Sequence, residues 1–293
     1  MADFRASTNS GGSSLAGSNR DAANRAASNK AKIARRVIEV LDYFDDNHRE
    51  ATVMDIVRRY DRPQSSTSEL LSSLVELGLL RKDAWSRAYS LTPRAALIGS
   101  SGQPEIVRDG RLVRLADRLV AQTGLSVALF GMVGLNAQIL SWRPGPRASA
   151  SAVRGLFGGM LEPLSHAVPG WLLLSTIEQR RCEGVIRRLN AEASEARKFS
   201  TAELAARISE YRESGAGRGT LGFGSSAQVV AALLPGECCD QPLVAGFVYG
   251  AQDKVNPDNL MLCLEEAIAQ TLGQPGAQID GGIATVQAFP SAA

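Results

Sequence analysis

The stretch from Ala51 to Leu91 constrains the fold more than any other part of the chain. It begins with one apolar stripe at helical spacing, formed by Val53, Ile56, Val57 and Tyr60. Thr52 is placed to cap this helix, and Asp55 stands at the third helical position, where a carboxylate faces unpaired amides. Pro63 pushes the residue before it out of the helical region, so the sequence predicts a short turn here.

A second helix follows this turn. Its predicted buried side chains recur at helical spacing, and they are Leu70, Leu71, Leu74, Val75 and Leu77. Gly78 comes where a left-handed residue would end the helix at the lowest cost. The side chains at the start of the helix are instead short, polar and uncharged; they are Gln64, Ser65, Ser66, Thr67 and Ser68. Such side chains can donate to phosphates or contact base edges without holding the helix away from a DNA groove.

Two β-prone runs, Leu79–Lys82 and Arg87–Leu91, come next and are separated by four turn residues. Helix, turn, helix and hairpin together predict a winged helix-turn-helix. Basic residues that could contact phosphates lie around it, namely Arg58, Arg59, Arg62, Arg81, Lys82 and Arg87. The alternative is a helical hairpin with a β-ribbon that binds nothing.

Composition sets the outer limits. A chain of 293 residues, 44% of them hydrophobic, is long enough for about two domains. Its net charge of +2 is too small to indicate a nucleic-acid partner. Evidence for such a partner must therefore come from the distribution of the charges along the chain. The segment from Arg20 to Arg36, directly before the winged helix, contains six basic residues and only one acidic residue. A predicted helix over Lys30–Asp45 completes a three-helix core.

Several classes of protein are disfavoured. No apolar run approaches the roughly 20 residues of a membrane helix, and the N-terminus lacks the apolar core of a signal peptide, so we expect a cytoplasmic protein without a membrane partner. The four cysteines show no metal-binding spacing and there are only two histidines. We therefore predict reduced thiols, no metal and no cofactor.

The rest of the chain predicts a linker helix and a mixed α/β domain. An apolar stripe between Glu105 and Thr123 could pair with its copy in a dimer or pack on its own second domain. The segments Ser126–Val133 and Ala137–Trp142 predict a hairpin, and Gln228–Leu234 and Leu243–Ala251 predict two more strands. Further helices are predicted at Ile177–Asn190, Thr201–Glu213 and 256–272.

Two motifs resemble catalytic or nucleotide sites without their context. Gly217, Gly219 and Gly222 have a GxGxxG spacing, but they follow a helix and precede a strand, so we interpret them as a loop. For His166, which follows Ser165, we favour a role in lining a pocket over a role as a catalytic base. We predict no catalytic residues and no enzymatic activity.

The order of these parts resembles the IclR family of bacterial transcriptional regulators over roughly residues 30–272. The motifs that carry the resemblance are a helix start at Pro63, the following leucines and Gly78, the segment RAYSLTPRAALIG, and PLSHAVPGWLLLS, STAELAARISEYRESG, VAALLP and LVAGFVYGA in the second half. The family implies an α+β protein with an N-terminal winged helix-turn-helix, a linker helix and a C-terminal GAF-like α/β effector-binding domain. It also implies homodimers or tetramers on a pseudo-palindromic double-stranded DNA operator, with RNA polymerase as a further candidate partner.

On this basis the expected organisation is a flexible basic tail (1–29), a DNA-binding domain (30–98), a linker helix (99–123), an effector domain (124–272) and a flexible C-terminal tail (273–293). The resemblance places an effector pocket at His166, Gly170, Trp171, Gln228 and Val248.

The chain departs from the family at several positions. Glu69 replaces a frequent basic residue and could form a capping box with Ser66. Val248 and Gly250 replace hydroxyl residues that often bind a carboxylate, and Trp171 replaces a frequent lysine. We therefore expect a small, apolar organic effector, with aromatic compounds among the candidates. Two alternatives stay open: an enzyme with an accessory winged helix, and a regulator whose second domain only dimerises.

Overall fold

The computed structural model describes residues 32–45, 48–99, 102–147, 149, 151–236 and 241–273. The predicted N-terminal tail (1–29), the predicted C-terminal tail except Gly273, and Cys238 and Cys239 lie outside these ranges. The chain divides into two compact units, Met1–Ser101 and Gly102–Ala293.

The first unit is built from three helices, a β-hairpin and a short fourth helix. The helices are α1 (32–43), α2 (Val53–Tyr60) and α3 (Gln64–Glu76), the strands are β1 (Leu80–Lys82) and β2 (Tyr89–Leu91), and α4 is Pro93–Leu97. Their common core contains Val40, Ile56, Leu71, Leu74 and Tyr89. The predicted helix-turn-helix and hairpin are therefore confirmed.

Local signals fixed the helix ends as expected. The hydroxyl of Thr52 accepts a hydrogen bond from the Asp55 amide, and the Asp55 carboxylate accepts one from the Thr52 amide at 2.8 Å, which completes a capping box. Gly78 has the predicted left-handed backbone, with φ +70°. Leu77 was wrongly predicted to be buried: it is 60% exposed because the helix has already ended, and its backbone no longer points the side chain at the core.

The hairpin packs back on the helices. β1 and β2 pair antiparallel, with Leu80 opposite Leu91, and Tyr89 also exchanges two backbone hydrogen bonds with Ala51. Tyr89 is fully buried in the core of the unit. These contacts fix the hairpin to the start of α2.

The second unit is a six-stranded antiparallel sheet with helices on both faces. Its strands are β3 (Ser126–Val133), β4 (Asn136–Arg143), β5 (Leu161–Pro163), β6 (Ala216–Thr220), β7 (Ala227–Leu233) and β8 (Leu243–Gly250), in the spatial order β5-β4-β3-β8-β7-β6. Its helices are α5 (Glu105–Arg108), α6 (Arg111–Thr123), α7 (Val168–Ser175), α8 (Gln179–Glu192), α9 (Thr201–Ser214) and α10 (Pro257–Leu272).

The alternating strand residues form two separate cores. One face of the sheet packs on α7, α8 and α9 through residues such as Phe130, Val229 and Val248. The other face packs on α6 and α10 through residues such as Phe247 and Val230. The predicted linker helix thus belongs to the second unit, and its stripe packs on its own sheet, which is one of the two alternatives that the sequence left open.

Two edge strands were missed. β5 follows a Gly- and Pro-rich segment that carries no β signal, and the interpretation of Gly217 and Gly219 as loop residues was wrong because they lie within β6. A Cβ at Gly217 would overlap the ring of Tyr211. Glycine is present here so that the α9 side chain can lie against the strand, not because the backbone is mobile.

We predict that Thr52→Ala lowers the free energy of unfolding of the first unit by about 1 kcal/mol, because it removes one side of the capping box. Hydrogen bonds from Thr52 hold the pKa of Asp55 below its ordinary value of 3.8. A lowered pKa stabilises the fold above that value and ceases to do so as the pH falls through the folded-state pKa. Denaturant unfolding at pH 7 should therefore show the difference, and unfolding near pH 3 should show less of it. Thr52→Ser is the control, and equal losses for both variants would contradict the capping role.

Candidate nucleic-acid interface and second-unit cavity

The N-terminal turn of α3 presents backbone donors. Pro63 precedes the helix without a side-chain cap, and the first turn contains no acid. The amides of Gln64, Ser65 and Ser66 have no partner within the described ranges. Unpaired amides at the positive end of a helix dipole favour a phosphate oxygen.

The predicted base-reading residues differ in their accessibility. Gln64 and Ser65 are exposed, and Ser66 and Ser68 are half-buried. Thr67 is buried, and its hydroxyl donates to the Pro63 carbonyl at 2.9 Å. Thr67 was therefore wrongly placed in the interface, because its position on the helix points it at the core.

The proposed capping box of Ser66 and Glu69 is also wrong. The helix begins before Ser66, whose hydroxyl donates to the Pro63 carbonyl at 3.2 Å, so Ser66 does not cap it. Glu69 is exposed. Ser72 lies on the same exposed stripe, one and two turns beyond Ser68 and Ser65. Helical spacing could have identified Ser72 from the sequence.

Cations lie on both sides of α3 in the chain. Arg58 and Arg59 are exposed at the end of α2 and are basic residues of its last turn. Arg81, Lys82 and Arg87 are exposed on the hairpin. These five side chains are accessible to a polyanion.

Arg62 has a different role from the one expected. Its Nη2 lies 3.2 Å from both carboxylate oxygens of Glu39 on α1, and its Nε is buried without a partner in the described part of the chain. The Tyr60 hydroxyl donates to the Glu39 carbonyl at 2.6 Å, and burial raises the pKa of Tyr60 to about 12. Arg62 thus ties α1 to the turn and is occupied by an internal ion pair.

A cavity of about 370 Å³ lies at the edge of the second unit. It is a cleft open to solvent between the β3–β4 turn, the segment after β5 and the end of α8, and its lining includes Leu135, Pro163, Ser165, His166, Leu189 and Arg197. This volume is within the range of small-molecule sites. Ser165, Leu189 and Arg197 were not predicted together, because residues that distant in sequence share no local pattern.

His166 is held in place beside the cavity. Its Nδ1 lies 2.9 Å from Glu162 Oε1, and the Glu162 Oε2 accepts a hydrogen bond from the Phe223 amide at 2.8 Å. Glu162 therefore connects β5, the histidine and the loop between β6 and β7. This arrangement orients the imidazole toward a fixed partner.

The other predicted effector residues do not line this cavity. Trp171 Nε1 donates to the Ser165 carbonyl, and its ring packs on Tyr211 and Arg207. Val248 is fully buried in the sheet core. Of the predicted effector residues, the cavity brings in His166 alone, while the side chains of Trp171 and Val248 are used in packing.

Gly170 and Gln228 are also displaced from the expected pocket. A Cβ at Gly170 would overlap the Leu164 backbone, so the start of α7 is closed to a ligand there. Gln228 precedes Val229 on β7 and is opposite Tyr249, on the sheet face that packs against α6 and α10. It faces away from Val248, since strand residues alternate between faces.

Within the described residues, no group of three or more potential ligand side chains could hold a metal ion, and no helix is long and apolar enough to cross a membrane. The helix pair, its hairpin and the cations around α3 define a winged helix-turn-helix DNA-binding domain. Residues 34–84 match the family model described as the IclR helix-turn-helix domain. The match lies within the first unit, which therefore contains a helix-turn-helix domain of the IclR type.

Solved structures share the fold across both units. An IclR transcriptional regulator from Alicyclobacillus acidocaldarius is 18% identical with a TM-score of 0.52, covering 82% of this chain and 96% of its own. The IclR of Thermotoga maritima is 14% identical with a TM-score of 0.52, covering 83% and 100%. An IclR homologue from Microbacterium hydrocarbonoxydans, complexed with 4-hydroxybenzoate, is 17% identical with a TM-score of 0.52, covering 82% and 97%. No curated protein sequence matches the chain.

We predict that Arg58→Ala weakens DNA binding without changing stability, and that Arg62→Ala lowers stability without removing a DNA contact. Loss of one phosphate contact at Arg58 should reduce the slope of log affinity for duplex DNA against log salt by about 0.9. Loss of Arg62 leaves Glu39 without its partner and should lower the free energy of unfolding by about 1–3 kcal/mol with an unchanged slope. Salt titrations of duplex binding and denaturant unfolding measure both. Glu39→Gln should reproduce the Arg62 result, and a reduced salt slope for Arg62→Ala would contradict the internal role.

Proposed function

We propose that this regulator binds a pseudo-palindromic operator as a homodimer or tetramer, with α3 in the major groove of each half-site. The observation that carries the proposal is the exposed polar stripe of α3, which begins with free amides and is flanked in the chain by accessible cations. Amides and cations can fix the helix on phosphates, while the stripe reads base edges. This division of contacts is what sequence-specific binding requires.

Individual roles follow from exposure and chemistry. Gln64 and Ser65 are placed to contact bases or phosphates at the helix start, with Ser66 and Ser68 beside them. Glu69 repels phosphates but accepts a hydrogen bond from the amino group of cytosine. We therefore assign Glu69 and Ser72 to base contacts and the exposed cations, Arg58, Arg59, Arg81, Lys82 and Arg87, to phosphates.

We predict that Ser65→Glu weakens operator binding by at least tenfold, because the new carboxylate lies at the end of the helix that would face phosphates. The operator is first obtained by selecting bound sequences from a randomised duplex pool, and affinity is then measured by fluorescence anisotropy. Ala191→Glu, on the exposed surface of α8, adds the same charge away from α3 and should bind like the unmodified chain.

Wild-type affinity and sequence preference in a folded Ser65→Glu variant would overturn the placement of α3. Circular dichroism and thermal unfolding establish that the variant is folded.

We further propose that the second unit binds a small aromatic effector at the cavity beside His166. The cavity combines apolar residues, Leu135, Pro163, Leu189 and Ala193, with polar groups at Asn136, Ser165, His166, Glu192, Ser194 and Arg197. Such a combination suits a ring with one or two polar substituents. The 4-hydroxybenzoate complex of the Microbacterium homologue supports this ligand class.

Effector binding would alter DNA affinity only if the ligand binds one dimer geometry better than another. Regulators of this family are not enzymes, and we propose a cytoplasmic, non-catalytic protein. The second candidate is a second unit that only dimerises.

We predict that 4-hydroxybenzoate raises the midpoint of thermal unfolding and that succinate does not, because a short dicarboxylate leaves the apolar walls unfilled. Ala193→Glu, which puts a charge in the half-buried part of the cavity wall, should abolish the shift, whereas Leu262→Glu at an exposed site of α10 should retain it. Calorimetric titration checks both ligands. Tight binding of succinate would contradict the aromatic class, and no shift with any of a broad set of aromatic acids would favour the dimerisation role.

A further inference from the structure

The tip of the hairpin presents one large aromatic side chain to solvent. Trp85 lies in the turn between β1 and β2 and is 95% exposed, more than any other large hydrophobic residue in the described ranges. Tryptophan is rarely left so exposed, because its ring has more apolar area than almost any other side chain. The packing of the first unit gives Trp85 no role.

The turn that carries Trp85 is fixed by hydrogen bonds. Asp83 Oδ1 accepts from the amides of Trp85 and Ser86 at 2.9 and 2.7 Å and from the Ser86 hydroxyl at 3.0 Å. The Asp83 amide donates to the Ala88 carbonyl at 2.8 Å, and Arg87 adopts a left-handed backbone with φ +56°. The backbone at Trp85 is therefore held in one conformation, which lowers the backbone part of the entropic cost of using the ring in a contact.

The surroundings of the ring are cationic. Arg81, Lys82 and Arg87 are exposed on the same hairpin, and the Lys82 ammonium lies 5.3 Å from the centroid of Tyr89. Asp83 is the only acid between Leu80 and Leu91. Its carboxylate is turned to the backbone of the turn, which also lowers its pKa. A partner of this tip must therefore offer negative charge together with a flat or apolar surface.

Duplex DNA meets both conditions. Three residues separate the end of α3 at Glu76 from the start of β1 at Leu80. A helix in the major groove would therefore bring the hairpin to the adjoining backbone and minor groove. Phosphates pair with the cations there, and an aromatic plane can pack on sugars or partly unstack a base step.

We propose that Trp85 is a minor-groove contact that packs on sugars or enters a base step and bends the operator next to the α3 contact. This inference rests on the proposed function. It gives the hairpin a role in affinity and DNA shape beyond phosphate contact by its cations, with flexible pyrimidine–purine steps preferred at the site that Trp85 contacts.

The test compares the full-length chain with Trp85→Ala and Trp85→Phe on the selected operator. Loss of one aromatic contact should weaken binding roughly 5- to 100-fold, and phenylalanine should restore part of it. Tryptophan fluorescence of the unmodified chain should be quenched on binding, and Trp85→Phe should lose most of that quenching. End-to-end energy transfer in a doubly labelled duplex should report less bending with Trp85→Ala.

Netropsin, which occupies A·T-rich minor grooves, should compete with the unmodified chain more strongly than with Trp85→Ala. Affinity within twofold of the unmodified chain, with unchanged quenching and bending, would overturn the proposal. Loss of solution oligomers in Trp85→Ala without any change in binding to an isolated half-site would also overturn it, because Trp85 would then contact a second copy. If Ser65→Glu loses binding and Trp85→Ala does not, the role of Trp85 is refuted and the proposed function stands. If the unmodified chain binds no duplex, the proposed function itself is refuted.

Discussion

The unoccupied first turn of α3 is the feature on which the interface depends. Pro63 starts the helix and supplies no side-chain cap, while the hydroxyls of Ser66 and Thr67 both donate to its carbonyl. Neither hydroxyl therefore blocks the amides, and the positive end of the helix stays open to an anion. A serine or aspartate in place of Pro63 would stabilise α3 and consume the donors that a phosphate needs. The first unit is thus less well capped at α3 than at α2, where Thr52 and Asp55 satisfy each other.

The charged residues of the first unit divide into two groups with different duties. Arg62 and Glu39 connect the first helix to the turn, so this pair holds the helices in the orientation that exposes the stripe of α3. Arg58, Arg59, Arg81, Lys82 and Arg87 are instead exposed. A count of basic residues in the sequence cannot separate the groups. The difference lies in whether a carboxylate from a distant helix is within reach, and only the three-dimensional arrangement provides that information.

Prediction from sequence succeeded where short-range physics decides and failed where packing decides. The Thr52 cap, the left-handed Gly78, the helices α2 and α3 and the strands β3, β7 and β8 follow from local signals, and the structure confirms them, whereas it does not contain the predicted Ser66–Glu69 capping box. The edge strand β6 was missed because glycine is rare in strands. Gly217 leaves room for the Tyr211 ring, and this contact is apparent only once α9 lies beside the strand. The predicted effector residues were chosen by resemblance. Gln228 and its neighbour Val229 point to opposite faces of the sheet, and Val248 is paired with Val229. The alternation along β7 is visible in the sequence, but the pairing with Val248 and the position of the cavity are not.

Chemical footprinting of the selected operator tests the central claim most directly, because dimethyl sulfate methylates guanine N7 in the major groove and adenine N3 in the minor groove. If α3 of each subunit occupies the major groove, guanine N7 should be protected in two patches about 10 base pairs, or a multiple of that spacing, apart on one face of the duplex. Sequence-specific binding with every guanine N7 still reactive would contradict the account.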